Sequence, residues 1–415
     1  MFAQQQEQAQ KQVKDENEFR LFTSVTKEND WGKKLPLIEQ WKKEYPDSAY
    51  KEERQLMIVV AYQNLRQGEK MWEAAKELVT INPKSLPGWF YLTSLALSLK
   101  NPATDRLEIG EKAARTLMPL LEEAYAPAKR PPNVQEKDFE NEKNSSKLIA
   151  FKTLGWIEMT RKNYEKAEQE FVAFLKQKPN SGEVTYWLAT VILQQKRKER
   201  QLETLYHLMR AAHYKGEEEL PEATRNQLQG LVKKNYITYT GLEEGLAKMV
   251  ELALSSPFPP EGWTLESEQQ RLARKRVEIS QTDPQLFAWL QLKDGLTEPT
   301  TRDKNWEELK GSALPKLKGK VISTEPPHRP KEILVGITNS ANAEVKLKLD
   351  TALPNKAEPG TEIEFEGVAA EFAPDPFLVT LDQERAKVTG WPAAPKPSRP
   401  VSKKAGSKRS AKGSV

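Results

Sequence analysis

The chain has 415 residues, 38% hydrophobic and 30% charged, with a formal net charge of +5 at pH 7. At about 150 residues per domain, this length predicts two or three domains. Cysteine is absent and histidine occurs 3 times, which excludes disulfide frameworks, thiol nucleophiles and cysteine-ligated metal centres. No run approaches the ~18 apolar residues of a membrane-spanning helix.

The N-terminal sequence allows two predictions of cellular location. Residues 1–14 are polar and Gln-rich, and we expect a disordered lead there. Met1–Gln5 resembles the end of a cleaved secretory signal, where small residues precede a Gln-rich mature start. This slightly favours an exported or periplasmic protein. Without a hydrophobic targeting segment, the default is the cytoplasm.

A helical repeat array is predicted over residues 15–257. Self-similar units begin near four positions, Glu52, Leu86, Leu148 and Gly182. The steps from 52 to 86 and from 148 to 182 are both 34 residues, the period of a helix–turn–helix repeat. Degenerate units precede and follow these four, as expected for a stacked array whose outer faces meet water.

The unit at Leu148 carries the clearest pattern. Its first helix contains Phe151, Leu154, Gly155 and Glu158, and its second contains Ala167, Phe171 and Phe174 before Pro179. This pattern resembles the tetratricopeptide repeat (TPR), with Glu158 in place of the usual aromatic residue and Phe174 in place of the usual Ala. The resemblance implies a right-handed α-solenoid. The alternative is an ordinary helical bundle whose spacings coincide by chance.

Two segments interrupt or follow the array. Residues 120–147 contain a Pro-rich stretch and then many charged residues, and we expect an exposed insertion there. The prolines of Ser256–Pro260 break the helical pattern. Residues 258–315, with helical stretches at 265–279 and 284–294, are interpreted as a cap or linker.

A β-rich domain is predicted over residues 316–391. Apolar and polar residues alternate in Glu344–Asp350 and Thr361–Glu366, as in half-buried strands. Three further strand candidates complete the set, Leu317–Ser323, Ile333–Ile337 and Phe377–Leu381. Five short strands in this order look like an OB-type barrel.

Residues 392–415 are predicted to be a disordered basic tail. They contain seven Lys or Arg residues and no acidic residue, so residues 1–391 carry a net charge of −2. A Pro-, Ala-, Ser- and Lys-rich segment buries too little apolar surface to fold. Four of its side chains are candidate contacts for phosphate or another anion, Lys403, Lys404, Lys408 and Arg409.

The predicted fold is therefore mainly α: a TPR-type α-solenoid, then a small all-β OB-like barrel and a disordered tail. The whole arrangement resembles a group of bacterial proteins with a TPR array, an OB-like domain and a basic tail. Three stretches carry that resemblance, Leu317–Val321, Pro326–Lys331 and Pro359–Val368. It implies an architecture and no particular activity.

Catalytic motifs are absent from the sequence. There is no phosphate-binding loop, no Gly-x-Gly-x-x-Gly after a strand and no His-Glu-x-x-His. His207 and His213 are six residues apart, on different sides of a helix, so we expect packed or surface histidines rather than metal ligands. The Glu217–Glu219 run is typical of a solvated surface. We therefore expect no enzyme, cofactor or metal; an enzyme would need chemistry from carboxylates alone.

The TPR resemblance implies a concave groove, lined by the first helices, that accepts a peptide or helix of a partner protein. By position, five residues face it, Asn64, Phe90, Lys152, Trp156 and Tyr186. Aromatic rings with an amide and an amine suit peptide recognition. The alternative is that Phe90 and Trp156 only pack between repeats. Leu56 and Val60 replace polar residues of the family's carboxylate clamp, which disfavours chaperone-tail binding.

These observations favour a non-enzymatic protein-interaction scaffold. The alternative is a nucleic-acid-associated protein that uses the OB-like domain and the tail. The β-domain offers five lysines, Lys316, Lys318, Lys320, Lys346 and Lys348. Four glutamates of the same domain offset them, Glu344, Glu362, Glu364 and Glu366. Nucleic acid is therefore the less favoured partner.

Overall fold

The computed structural model describes residues 12–98, 104–339 and 341–393. Within these ranges the chain is mainly helical, and a six-stranded sheet follows the helices, which confirms the predicted order of helices before strands. Two compact units meet in sequence at Glu268, and we call them the helical unit and the sheet unit. The predicted lead up to residue 11 and the tail from residue 394 lie outside the described residues.

The helical unit consists of consecutive helices that range from 10 to 25 residues. Their bounds are α1 (Glu16–Lys27), α2 (Trp31–Glu44), α3 (Lys51–Asn64), α4 (Gly68–Ile81), α5 (Leu86–Ala96), α6 (Thr104–Ala124), α7 (Glu136–Thr160), α8 (Tyr164–Gln177), α9 (Gly182–Gln194), α10 (Gln201–His213), α11 (Glu222–Thr240) and α12 (Leu246–Ser255). From α1 to α11 each helix packs against the next. Short connections between packed helices make neighbours antiparallel, and α5 also packs against α7.

Close approach of α7 and α8 depends on a glycine. A Cβ atom at Gly155 would lie 2.4 Å from Cε1 of Phe171, whose side chain is fully buried on α8. Ala167, also on α8, is completely buried. The residues that carry the repeat pattern in the sequence are thus the ones that set this helix–helix contact.

The segment 120–147 differs from its predicted exposure. It contains the end of α6 and the first half of α7, and its buried residues include Tyr125, Val134 and Phe139. The rings of Tyr125 and Phe139 lie 4.8 Å apart, and both belong to the core cluster of the first repeats. The apolar residues scattered among the charges anchor this segment to the array.

His207 on α10 is 1% exposed, which agrees with a packed histidine. Its ring meets Tyr206 and Phe258 edge-on, at centroid distances of 5.8 and 6.2 Å. Neither ring nitrogen has a hydrogen-bond partner among the described residues. Burial therefore lowers the pKa of His207 from 6.5 to about 4, because a charged imidazolium is disfavoured away from water.

The sheet unit combines three helices with a six-stranded sheet. Its elements are α13 (Glu268–Thr282), α14 (Pro284–Thr297), α15 (Arg302–Leu309), β1 (Leu317–Glu325), β2 (Glu332–Gly336), β3 (Val345–Leu349), β4 (Glu362–Phe365), β5 (Val368–Pro374) and β6 (Phe377–Gln383). The strand order is β4-β1-β2-β3-β6-β5. Neighbours are antiparallel except β3 and β6, which are parallel.

The five predicted strands correspond to β1–β4 and β6, and β5 was not predicted. Its sequence does not alternate cleanly between apolar and polar residues and ends in Pro374. A register shift between Ala369 and Glu371 interrupts its pairing with β6. A bulge of this kind breaks the period-two pattern on which strand prediction depends.

Residues 258–315, expected to cap the array or link it to the sheet, are divided between the two cores. Phe258, Trp263 and Leu265 pack against clusters of the helical unit. Farther along, Trp289 and Leu314 are buried in the cluster formed by the strands. Helix α14 is therefore part of the fold of the sheet unit.

We expect Gly155→Ala to destabilise the protein by about 1–3 kcal/mol, since its methyl group would overlap the Phe171 ring and force repacking. The matched control is Gly230→Ala on α11, where the added Cβ would lie more than 4 Å from every described atom outside the neighbouring residues and backbone of its own helix. That change should stabilise the helix by about 1 kcal/mol. Urea unfolding followed by circular dichroism measures both; equal effects of the two changes would contradict the close approach.

His207 should make stability fall in mild acid. Its pKa is about 4 when folded and 6.5 in the reference state. Above pH 6.5 both states are neutral and the group contributes nothing; between pH 6.5 and 4 only the unfolded state takes up the proton. This costs about 2–3 kcal/mol by pH 4.5. His207→Phe should remove that loss, measured as urea midpoints at pH 7.5 and 4.5. The same pH dependence in both proteins would contradict it.

Candidate functional site

The five predicted groove residues lie on alternate helices, α3, α5, α7 and α9, which we call the first-helix row. Asn64 on α3 is exposed. The other four are half-buried, Phe90 on α5, Lys152 and Trp156 on α7, and Tyr186 on α9. All five therefore keep some surface available to a partner.

Side-chain contacts join neighbouring members of the first-helix row. The Tyr91 hydroxyl on α5 donates to Oε1 of Gln63 on α3, at 3.3 Å. From α7, the Thr153 hydroxyl donates to the backbone oxygen of Thr93 on α5, at 3.0 Å. Lys152 on α7 forms an ion pair of 2.6 Å with Glu183 on α9. The four helices thus follow one another in space.

Two aromatic side chains of the first-helix row pack against core clusters while remaining partly exposed. Phe90 packs against the core of the first repeats, and its ring meets Tyr91 edge-on at 5.9 Å. Tyr186 packs against the cluster around α10 and α11. Because these rings are held by their neighbours, they would lose little conformational freedom on binding a partner.

Lys152 is the charged residue among the five predicted groove residues, and it has several electrostatic contacts within the chain. Besides Glu183, its Nζ lies 3.8 Å from Glu218 and 5.6 Å from the centroid of the Trp187 ring. Lys178 reaches Glu218 at 3.1 Å. The amine predicted to meet a peptide is thus already paired within the chain.

Glu218 corrects the prediction that residues 217–219 form only a solvated surface. Burial opposes its ionisation, but the Ser181 hydroxyl and the ammonium groups of Lys152 and Lys178 outweigh burial and lower the pKa of Glu218. Its backbone oxygen accepts a hydrogen bond of 3.1 Å from the amide of Glu183. The loop before α11 therefore folds over the start of α9, a contact that local sequence does not reveal.

Four lysines of the sheet unit form ion pairs with glutamates that belong to other strands. The pairs are Lys316–Glu364 at 2.5 Å, Lys318–Glu362 at 3.1 Å, Lys346–Glu332 at 2.7 Å and Lys348–Glu371 at 2.8 Å. Lys320 has no ion pair within the described part of the chain. The surface is therefore largely charge-compensated, which weakens its attraction for phosphate groups.

Glu344 does not contribute to this compensation as the sequence suggested. It is 2% exposed and accepts hydrogen bonds from the amides of Ile337 and Thr338, at 2.8 and 2.6 Å. Lys293 on α14 forms an ion pair with it. Burial opposes its ionisation, but Lys293 and Thr338 lower the pKa of Glu344 overall. Its role is to hold the β2–β3 loop and α14.

The predicted anion contacts of the tail lie outside the described residues: Lys403, Lys404, Lys408 and Arg409. Within the described ranges, no group of three or more His, Asp or Glu side chains is placed to hold a metal ion. None of the described helices is long and apolar enough to cross a membrane.

Comparisons with known proteins give a match only among solved structures. No family model matches the chain, and no curated protein does. Among solved structures, the chain is similar to a thermophilic TPR protein of Thermus thermophilus. The likeness covers 52% of this chain and 96% of that chain, with 19% sequence identity and a TM-score of 0.27.

Proposed function

We propose that the helical unit is a TPR-type solenoid that acts as a non-enzymatic scaffold. It binds an extended peptide or a helix of a partner protein along the first-helix row. The observation that carries the proposal is the continuity of that row: hydrogen bonds and an ion pair join α3 to α5, α5 to α7 and α7 to α9. A continuous row offers one long surface to one partner segment.

The side chains of the row suit protein recognition. Phe90, Trp156 and Tyr186 supply aromatic surface, and aromatic residues dominate binding energy at interfaces. Asn64 and the Tyr186 hydroxyl can pair with backbone groups of the partner. The compensated cluster around Lys152 favours a partner with polar groups at matching positions, since such pairs set specificity more than affinity.

We further propose that the strands form an OB-like module that provides a second contact surface. Strands β4 and β5 are separated only by Glu366 and Gly367, yet they stand at opposite ends of the strand order. Backbone bonds join residues 311–314 to residues 367–369 and extend the pairing of β1 with β4. Pairing of this kind supports a barrel of the OB type.

The alternative function is nucleic-acid association through the OB-like module and the tail. The ion pairs along β1 and β3 reduce the net charge available on the module. The alternative therefore depends mainly on Lys403, Lys404, Lys408 and Arg409. Binding of that kind falls steeply with salt, whereas binding in the row depends on apolar contact.

Replacing both Trp156 and Tyr186 by Ala should weaken partner capture about tenfold or more, since buried aromatic anchors carry most of the energy at an interface. The measurement is a crosslinking pull-down from nuclease-treated native extract, quantified for each captured protein. The matched control is Phe19→Ala on α1, which removes a 54% exposed ring outside the row. Thermal unfolding confirms that each variant is folded.

Two outcomes of this pull-down would contradict the scaffold proposal. One is that the double variant and the Phe19 control capture the same partners in equal amounts. The other comes from a chain that ends at Trp391: if capture requires residues 392–415 and disappears with nuclease or about 0.5 M salt, the nucleic-acid alternative is correct.

A further inference from the structure

Two equivalent turns of the helical unit place a lysine in left-handed backbone conformation. Lys162, between α7 and α8, has φ of 64°, and Lys196, between α9 and α10, has φ of 55°. Arg66 in the α3–α4 turn has the same conformation, with φ of 55°. Glycine adopts this conformation without steric cost, and lysine does not. The chain therefore positions cations here against the local backbone preference.

The α7–α8 and α9–α10 turns share one surface. Gln195 donates from Nε2 to Glu168 on α8 at 2.5 Å, and Arg200 forms an ion pair of 2.7 Å with the same carboxylate. Arg197 reaches Glu165, in the first turn of α8, at 3.4 Å. The second turn thus lies directly against the start of α8, which follows Lys162.

Arginines occupy most carboxylates of this surface and leave its lysines unpaired. Arg200 pairs with Glu168 and Glu203, and Arg197 pairs with Glu165. Four exposed lysines have no ion pair among the described residues: Lys162, Lys166, Lys196 and Lys198. In the same described part of the chain, Glu199 is the one nearby exposed carboxylate without such an arginine. The surface therefore has an excess of positive charge.

An apolar side chain accompanies the four lysines. Leu193, near the end of α9, is 56% exposed and precedes Lys196 by three residues. Tyr164, beside Lys162, instead packs against the core cluster of α8 and α9. We call Leu193 and the four lysines the turn patch. It offers an apolar contact without the exposed aromatic faces on which nucleic-acid bases stack.

We propose that the turn patch binds an acidic segment of a partner protein that carries an apolar side chain among its carboxylates. The lysines attract the carboxylates as flexible point charges, and Leu193 receives the apolar side chain. Charge complementarity and the exposed leucine both favour a peptide over a polyphosphate. This surface lies at helix ends and is distinct from the side chains of the first-helix row.

The probe is a fluorescein-labelled synthetic peptide with four glutamates on each side of one photoreactive leucine, titrated into the full chain at low salt. The test variant combines Lys162→Asn, Lys196→Asn, Lys166→Gln and Lys198→Gln. Asparagine is used in the turns because it tolerates left-handed backbone. Peptide affinity should fall about tenfold, with loss of long-range attraction. Leu193→Ser should weaken binding of this peptide but leave binding of a serine-containing version unchanged.

The matched control removes four exposed lysines elsewhere in the helical unit, Lys33, Lys43, Lys51 and Lys84, each replaced by Gln. It should bind the peptide as the unaltered chain does, and the photocrosslink should map to residues 193–198. Thermal unfolding confirms that the variants are folded. The Trp156 and Tyr186 double variant should keep peptide binding, which separates this proposal from the proposed function.

Three results would overturn the proposal. One is equal weakening in the test and control variants, which would indicate attraction by overall charge. Another is a crosslink confined to residues 392–415. The third is binding of an oligothymidylate or of anionic vesicles that depends on the same four lysines as strongly as peptide binding does.

Discussion

The helical unit depends on the close approach of successive helices at positions that lack a side chain. A Cβ atom at Gly155 would lie 2.4 Å from Phe171, one at Gly88 2.7 Å from Val79, and one at Gly110 2.8 Å from Ala96. These contacts join α7 to α8, α5 to α4 and α6 to α5. In an array where each unit contacts only its neighbours, such local distances determine where every later helix lies. The first-helix row is a consequence of them.

Sequence periodicity predicted the parts of the fold that follow from local burial. The 34-residue steps, Gly155 and Phe171 located a real helix pair, and alternation located five of the six strands. Periodicity did not predict β5, because a register shift interrupts the pairing of that strand with β6. Glu344, which alternation places beside solvated lysines, is buried because the β2–β3 loop turns its amides toward the carboxylate.

The helices that carry the candidate residues could be predicted from the sequence, whereas the ion pairs of these residues could not. The repeat pattern placed Phe90, Trp156 and Tyr186 on the first helices, where the structure has them. It could not reveal that Lys152 pairs with Glu183 and Glu218, because those carboxylates come from another helix and a distant loop. Residue type indicates a charge, whereas only the folded chain determines which charges remain unpaired.

The first-helix row and the turn patch differ in whether their charges are paired within the chain. The charges around Lys152 are compensated and partly screened from water, so the first-helix row would select a partner by shape and aromatic contact. In the turn patch, Lys162, Lys166, Lys196 and Lys198 have no ion-pair partner within the described chain, so their contribution is long-ranged and sensitive to salt. Helices α7 and α9 support both surfaces. Binding at the two proposed surfaces would therefore differ in its dependence on ionic strength.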